Sequence, residues 1–232
     1  MLIVHARGLE GARAAVGTVV VIDVLRAFTV SAYALAAGAS ECRLVAEMAE
    51  ARRLVASLEG AVLSAEEAGL PVEGVPISNS PSMIREVDLR GRTLVQRTSA
   101  GTQCIAAASR AERLFAASLV VAEATARVVQ AAGPDVVTLV ATGEDRGHPE
   151  DRACAEYIEG RLRGGEPDLG RLLEPLRSSD RYRQLAAGSW PGFPPQDLEL
   201  ALTPDRFDFA MPVERDERGL RLTALPCGRA GG

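Results

Sequence analysis

Residues 18–29, TVVVIDVLRAFT, decide how the rest of the chain is read. Valines and an isoleucine run without polar alternation into one acid, Asp23, and then into Arg26 and Thr29. A run of this kind matches a strand buried on both faces, as in a parallel sheet covered by helices. The residues that follow, FTVSAYALAAG, return apolar side chains at helical spacing, and Gly38 is placed to stop the helix. Asp23 therefore falls where a buried strand ends and a helix has not begun, the edge at which open α/β sheets bind ligands. An acid, a guanidinium and a hydroxyl within seven residues suit a charged small molecule. The plainer alternative is that Asp23 caps the helix and pairs with Arg26 on the surface.

Working outward, the chain to about residue 150 alternates strand and helix. ECRLVA (41–46) reads as a strand and residues 48–58 as an amphipathic helix with Met48, Ala51, Leu54, Val55 and Leu58 on one face. AVLSA (61–65) is a short strand delivering Glu66 and Glu67. A loop rich in glycine and proline leads to Asn79-Ser80-Pro81, where Ser80 suits an N-cap and Pro81 the first helical position. The strand TLVQRT ends in Arg97, Thr98 and Ser99, and Gly101 and Thr102 open the next helix. RLFAAS, a helix over 121–132 and the strand DVVTLVA follow. The polar loop TGEDRGHP then reaches a helix over 149–163 with Glu150 and Asp151 in its first turn. This pattern predicts an α/β fold, a three-layer α/β/α arrangement with a mostly parallel central sheet. Strand ends then gather Asp23, Glu66, Arg97 to Thr102, and Gly143 to Asp151 along one edge.

Each of these has a structural alternative. Glu150 and Asp151 complement a helix dipole equally well, Ser99 and Thr102 suit caps, and His148 reads as a cap or surface residue. Past Gly164, one or two short helices and a proline-rich stretch precede a closing hairpin of RFDFAMPV and GLRLTAL. Trp190 and Phe193 read as a hydrophobic plug. The expectation is a single domain over 1–232, with a core to about residue 163 and a C-terminal extension over about 164–232.

With 47% hydrophobic and 25% charged residues, the composition is that of an ordinary globular protein. A net charge of −5 argues against a nucleic-acid partner or a membrane surface, so an anionic ligand would need a local cluster of donors. No apolar run approaches a membrane span and no signal-peptide core is visible at the N-terminus. Four scattered cysteines without a C-x-x-C pair suit reduced structural thiols in a cytoplasmic protein. Two histidines are too few for a histidine-built metal site. The sequence admits a homo-oligomer.

Acids at strand ends suit Mg²⁺, which takes oxygen ligands and commonly binds one or two carboxylates plus substrate phosphate. Arg26 and Arg97 suit a phosphate or carboxylate clamp, and the turn from Thr98 to Thr102 could offer N–H groups and hydroxyls. Neither G-x-x-x-x-G-K-[ST] nor G-x-G-x-x-G occurs, and no second acid stands two residues after Asp23. From the residues alone, the chain reads as a metal- and anion-binding α/β enzyme, with phosphate-ester hydrolysis preferred.

The strings VVVIDVLRAFT, ISNSP, GRTLVQRTSAGT, AASLVVAEATA and PEDRACAEYI, in this order and spacing, resemble the 2-phosphosulfolactate phosphatase family. The resemblance covers roughly residues 15 to 160, with a looser echo in GFPPQDLELAL and FAMPV. It implies a cytoplasmic, Mg²⁺-dependent α/β/α phosphatase tied to coenzyme M biosynthesis, acting on 2-phospho-3-sulfolactate or other phosphorylated 2-hydroxy acids. The matching positions are Asp23, Arg26, Thr29, Glu66, Asn79, Ser80, Thr98, Gly101, Thr102, Gly143, Glu150 and Asp151. With the reading of the residues, they give the expected roles. Asp23 and Glu66, with Glu150 or Asp151, hold Mg²⁺, while Arg26, Arg97 and the turn with Ser99 bind the anion, and Asn79 and Ser80 orient the ester. Attack comes from metal-bound water with a carboxylate as base, or from Asp23 itself. Two departures stand out. The family usually writes G-E-R-G-G where residues 65–69 read AEEAG, and T-T-N-G-T where residues 98–102 read TSAGT. Arg97 is the expected local replacement for the lost cation. The altered loops also admit a member that binds a phosphorylated or carboxylated metabolite without turnover.

Overall fold

The computed structural model describes residues 1–143 and 147–227. The chain opens with β1 (Leu2–Arg7) and α1 (Gly8–Ala14), which the periodicity reading passes over because β1 is half-exposed and α1 is short. β2 (Gly17–Ile22) is buried at every position and runs through Asp23 and a turn, containing a cis peptide between Leu25 and Arg26, into α2 (Ala27–Ala36). Then come β3 (Glu41–Val45), α3 (Met48–Ser57), β4 (Val62–Glu67), the two-residue β5 (Leu70–Pro71) and α4 (Pro81–Arg85). β6 (Thr93–Arg97), α5 (Gly101–Ala107), β7 (Ala111–Ala117), α6 (Ala122–Ala131), β8 (Val136–Ala141) and α7 (Pro149–Leu162) complete the alternation expected from the sequence. The C-terminal part holds α8 (Leu169–Leu172), α9 (Glu174–Arg177), α10 (Asp180–Ala186) and α11 (Gln196–Leu202). The hairpin β9 (Phe209–Asp216) and β10 (Gly219–Leu222) follows, and then β11 (Leu225–Pro226).

The fold is α/β, with a large, mostly parallel sheet flanked by helices and joined by C-terminal strands. The strand order is β1-β8-β2-β7-β9-β10-β3-β6-β4-β5, with β11 on β9. β1, β8, β2 and β7 form one parallel block, and β3, β6 and β4 form another. The closing hairpin lies between them, antiparallel to β7 on one side and to β3 on the other. Three successive antiparallel pairings mean that the two blocks run in opposite senses, so their strand ends do not lie along one straight edge.

What brings the ends together is α2. Every residue from Ala27 to Leu35 is buried, so this helix is apolar all round and has no solvent face. It belongs to one core cluster with Val19, Val21 and Ala116 of the first block and with Leu44, Val62 and Leu94 of the second. Phe28, fully buried, contributes roughly 2 to 3 kcal/mol by leaving water. The start of α2 leaves β2 and is hydrogen-bonded to β6: Gln96 Nε2 donates to Ala27 O at 2.8 Å, and Ser31 Oγ donates to Gln96 Oε1 at 2.6 Å. This helix packs against both blocks, and the exits of β2, β4, β6 and β8 meet near its N-terminus. No helix among the described residues is long and apolar enough to cross a membrane, and none of the four cysteines is in a disulfide.

Candidate active site

At that meeting point lies a cavity of roughly 240 Å³. Asp23 lines it. The Asp23 N–H donates to Ala117 O of β7 at 3.1 Å, and its Oδ1 accepts from the N–H of Ala27 at 2.9 Å. Backbone on both sides thus fixes the carboxylate at the start of α2. A Cβ built on Gly101 would stand 2.9 Å from Asp23 Oδ2 and 2.8 Å from Ala27 Cβ, so the start of α5 approaches the acid as closely as only glycine permits. Burial pushes the Asp23 carboxyl up to about 6; the Ala27 N–H opposes this, and the charges of Glu66 and Glu150 add to it.

Arg26 is buried and also lines the cavity. Its partner is not Asp23, as the surface-pair alternative would have it. Nη1 donates to Asp197 Oδ2 at 2.7 Å and to Gly192 O at 2.9 Å, and the guanidinium lies 4.4 Å from the centroid of Phe193. Burial pushes the Arg26 pKa down, with Asp197 opposing.

Glu66 lines the cavity from the exit of β4, but both of its oxygens are engaged. Oε1 accepts from the Ser99 N–H, and Oε2 from the Gly69 N–H at 2.6 Å and from Ser99 Oγ at 3.2 Å. The loop it holds contains Ala68 at φ +51°, left-handed backbone that favours glycine, at the position where the family pattern has glycine. Arg97 does not line the cavity. Its Nε donates to Ala46 O and its Nη1 to Glu66 O at 2.7 Å, bracing the loop from behind. Glu67 is exposed and lies 3.9 Å from Arg97 Nη1.

Asp151, at the start of α7, ties two strand exits together. Oδ1 accepts from the Val24 N–H at 2.8 Å, and Oδ2 accepts from the Gly143 N–H at 2.8 Å and from Thr142 Oγ1 at 3.1 Å. Burial raises its pKa well above the ordinary carboxylate range, with the charges of Asp23 and Glu150 adding to the effect. Glu150 is wholly buried. Its Oε1 accepts from Arg181 Nη1 at 2.7 Å, while its Oε2 is buried without a hydrogen-bond partner among the described residues. Burial raises the Glu150 pKa, against the pull of Arg181. A Cβ on Gly143 would meet the His148 ring at 2.5 Å, and His148 lines the cavity together with Thr142. The rest of the TGEDRGHP loop, residues 144–146, lies outside the described residues.

The other expected positions divide cleanly. Asn79 lines the cavity, with Oδ1 accepting from Gln96 Nε2 at 3.2 Å. Thr29 Oγ1 donates to Val24 O at 2.8 Å and stiffens the turn after Asp23. Ser80 caps α4 as expected, accepting from the Met83 N–H, and its Oγ donates to Asp197 Oδ1 at 2.9 Å. Thr98 and Thr102 close on each other: Thr102 Oγ1 accepts from the Thr98 N–H and Thr98 Oγ1 from the Thr102 N–H. Ser99 lines the cavity, and so does Ala100, where the family pattern has asparagine.

The sequence reading missed Arg181, Leu185 and Asp197; His148 stands at the N-cap position of α7, as its cap reading has it, and lines the cavity besides. The first three lie beyond residue 163, where no motif marked them. Only the looser echo around GFPPQDLELAL pointed toward Asp197. Trp190 and Phe193, read as a plug, form an apolar wall of the cavity.

The residues fit a divalent cation in a particular way. Among the described residues, no three Asp, Glu, His or Cys side chains converge as a ready-made cage. Asp151 and Glu66 commit both oxygens to protein donors, whereas Asp23 and Glu150 each retain capacity, and the charge of Glu150 acts on Asp23. A hard cation held by one or two carboxylates, with water and substrate oxygens completing its shell, suits that donor set. Among the described residues around the cavity, the carboxylates of Asp23, Glu66, Glu150, Asp151 and Asp197 outnumber the guanidiniums of Arg26, Arg97 and Arg181, a local excess that a cation would offset.

The family model of the 2-phosphosulpholactate phosphatases matches residues 5–188. A protein from Bacillus subtilis (strain 168) named "probable 2-phosphosulfolactate phosphatase" is 32% identical over 203 residues, which cover 85% of this chain and 87% of that protein. Proteins of the same name from Carboxydothermus hydrogenoformans and Caldicellulosiruptor saccharolyticus are 38% and 34% identical over 140 and 144 residues. Each match covers 60% of this chain, and 58% and 60% respectively of the relatives. The match takes in both parallel blocks, the helix between them and every strand exit that lines the cavity, and the chain belongs to the 2-phosphosulpholactate phosphatase family.

Proposed function

We propose that this protein is a Mg²⁺-dependent phosphatase that hydrolyses 2-phospho-3-sulfolactate, or a related phosphorylated 2-hydroxy acid, to the hydroxy acid and phosphate. The observation that carries the reading is the pairing, in one cavity, of Asp23 with the open side of Arg26. Asp23 is a buried acid with one oxygen held by backbone. Among the described residues, Arg26 makes no hydrogen bond through Nε or Nη2. Family membership supplies the substrate class.

The residues suited to Mg²⁺ are Asp23 and Glu150, a narrower set than the four carboxylates expected from the sequence. Glu66 and Asp151 shape the loops around it. A cation bound there supplies charge neutralisation for the phosphoryl oxygens. Arg26 binds the phosphoryl group and orients it, with the Asn79 amide as a further donor. Arg181, which also lines the cavity, suits a second anionic group of the substrate. In the reaction, an oxygen–phosphorus bond forms, the bond from phosphorus to the ester oxygen breaks, and that oxygen takes a proton. Two routes suit Asp23: it accepts the proton of the attacking water at its carboxylate, or it attacks phosphorus itself and is released by water.

The test is phosphate release across a panel of phosphorylated 2-hydroxy acids, with 2-phosphosulfolactate and phospholactate included, run with Mg²⁺ and with chelator. Metal-dependent release with a preference for esters that carry a carboxylate or sulfonate beside the phosphate supports the reading. Tight binding of the same esters without release supports instead the non-catalytic reading, which Glu67 and Ala100 favour because each replaces a donor of the family pattern. Rapid quenching with labelled substrate separates the two routes. Label trapped on the wild type and lost in Asp23→Asn identifies attack by Asp23.

A further inference from the structure

The five N–H bonds of Arg26 are divided between two directions. Both hydrogens of Nη1 are committed to the C-terminal part of the chain, to Asp197 Oδ2 at 2.7 Å and to Gly192 O at 2.9 Å. Phe193 covers one face of the guanidinium. Nε and Nη2 make no hydrogen bond among the described residues, and they belong to a side chain that lines the cavity. The edge left open, Nε with Nη2, is one that matches two oxygens of a phosphate in parallel.

Asp197 determines which edge is left open. Its carboxylate is wholly buried. Oδ1 accepts from Ser80 Oγ and from the Ser82 N–H, both at 2.9 Å, and these two donors fix the rotation of the carboxylate. Oδ2 is thereby aimed at Nη1. One side chain on α11 thus joins the capped start of α4 to the arginine before α2, with side-chain exposures of 0% and 4% for the acid and the arginine. Water does not compete for the pair, unlike a surface ion pair of small net value.

We infer that Asp197 is a positioning residue: it holds Arg26 so that the Nε–Nη2 edge meets the phosphoryl oxygens of a phosphate monoester. This rests on the reading of the cavity as a phosphate-ester site. Gly192 and Phe193 complete the clamp, which makes residues beyond the strand exits part of the anion site.

The test is a double-mutant cycle on the full chain. Asp197→Asn keeps size and shape. With the amide oxygen in the place of Oδ1 it still accepts from Ser80 and Ser82, and its NH₂ then faces Nη1, donor against donor. Calorimetric titration with inorganic phosphate reads anion binding without turnover, and ester hydrolysis gives kcat/KM. Asp197→Asn is expected to weaken phosphate binding about tenfold and to lower kcat/KM about a hundredfold, the range of a lost charged hydrogen bond. In an Arg26→Ala background the same change should alter neither quantity further, because the interaction it removes is already gone. Equal losses in both backgrounds overturn the inference, since Asp197 would then act on the fold and not through Arg26. If circular dichroism shows Asp197→Asn unfolded, Phe193→Leu, which removes the ring beneath the same guanidinium, goes through the same cycle with the same two outcomes. A wild-type protein that neither binds phosphate nor hydrolyses any ester overturns the phosphate-ester reading. A wild type that does both, beside an unaffected Asp197→Asn, overturns only the positioning role.

Discussion

Two regions of the chain meet at the cavity, and they contribute different things to it. The exit of β2, residues 23–29, brings an acid and a guanidinium: the Ala27 N–H holds Asp23, and Thr29 stiffens the turn by donating to Val24 O. The segment over residues 181–197 brings the counter-charges and the apolar wall. Asp197 faces Arg26, Arg181 faces Glu150, and Trp190 and Phe193 close the side. The first region has a recognisable motif and the second only the loose echo around GFPPQDLELAL. The difference teaches that reactive groups are constrained by the local chain, where a strand must end and a helix must start. Their counter-charges can arrive from any segment that packs nearby.

The strand exit is tested most severely by Asp23→Asn, which removes the ionised oxygen while leaving an acceptor for Ala27. Phosphate release should fall by roughly a thousandfold or more, and the dependence on Mg²⁺ should weaken with it. Unchanged turnover would move the chemistry away from β2 altogether.

The same acid gives a pH signature. Its folded pKa of about 6 lies above its ordinary value of 3.8. Between these the folded state binds more protons than the unfolded one, so stability falls as pH rises from about 4 to 6 and stays lower above. The contribution is on the order of 2 to 3 kcal/mol. Glu150 and Asp151 shift in the same direction. Melting of metal-stripped protein should therefore be highest at the acid end of this window, Asp23→Asn should flatten the slope, and added Mg²⁺ should raise the melting point more at pH 7 than at pH 5.

The C-terminal region is tested by Arg181→Met. It leaves Glu150 buried without its counter-charge, and the expected loss is about 2 kcal/mol, below the range for fully buried pairs because Arg181 keeps some solvent contact. Urea denaturation measures it. Adding Glu150→Gln should recover part of the stability, whereas additive losses would mean that Arg181 matters through packing alone. The smallest effect belongs to neither region. Ala68→Gly relaxes a left-handed residue in the Glu66 loop and should stabilise by about 1 kcal/mol, with no change in KM if the loop geometry is preserved.

Much of the fold was legible. β2 announced itself by an unbroken apolar run, α2 by helical spacing ended at Gly38, and α4 by Ser80-Pro81. Each is a local signal. β1 and α1 were missed because an edge strand with exposed positions has no clear period. Within the site, Asp23, Arg26, Glu66, Asn79 and Ser99 do line the cavity. Thr29, Ser80, Thr98 and Thr102 hold the loops around it, and Arg97 braces one of them, because a hydroxyl or a guanidinium beside a turn finds a backbone partner first.

By itself the sequence determined the alternating elements from β2 to α7, the acids at the strand exits and the family, since all of these depend on residue types at short, regular spacings. Only the tertiary structure decided how the two parallel blocks face. The C-terminal hairpin enters the middle of the sheet and reverses one block against the other, and the exits of both blocks nonetheless meet at the start of α2, which packs against both. It also decided which carboxylates remain open and which are closed by N–H donors, and that Arg26 pairs with a residue 171 positions away. Such pairings follow from burial, which obliges every charge to find a partner in space, and contacts at that separation have no spacing to read.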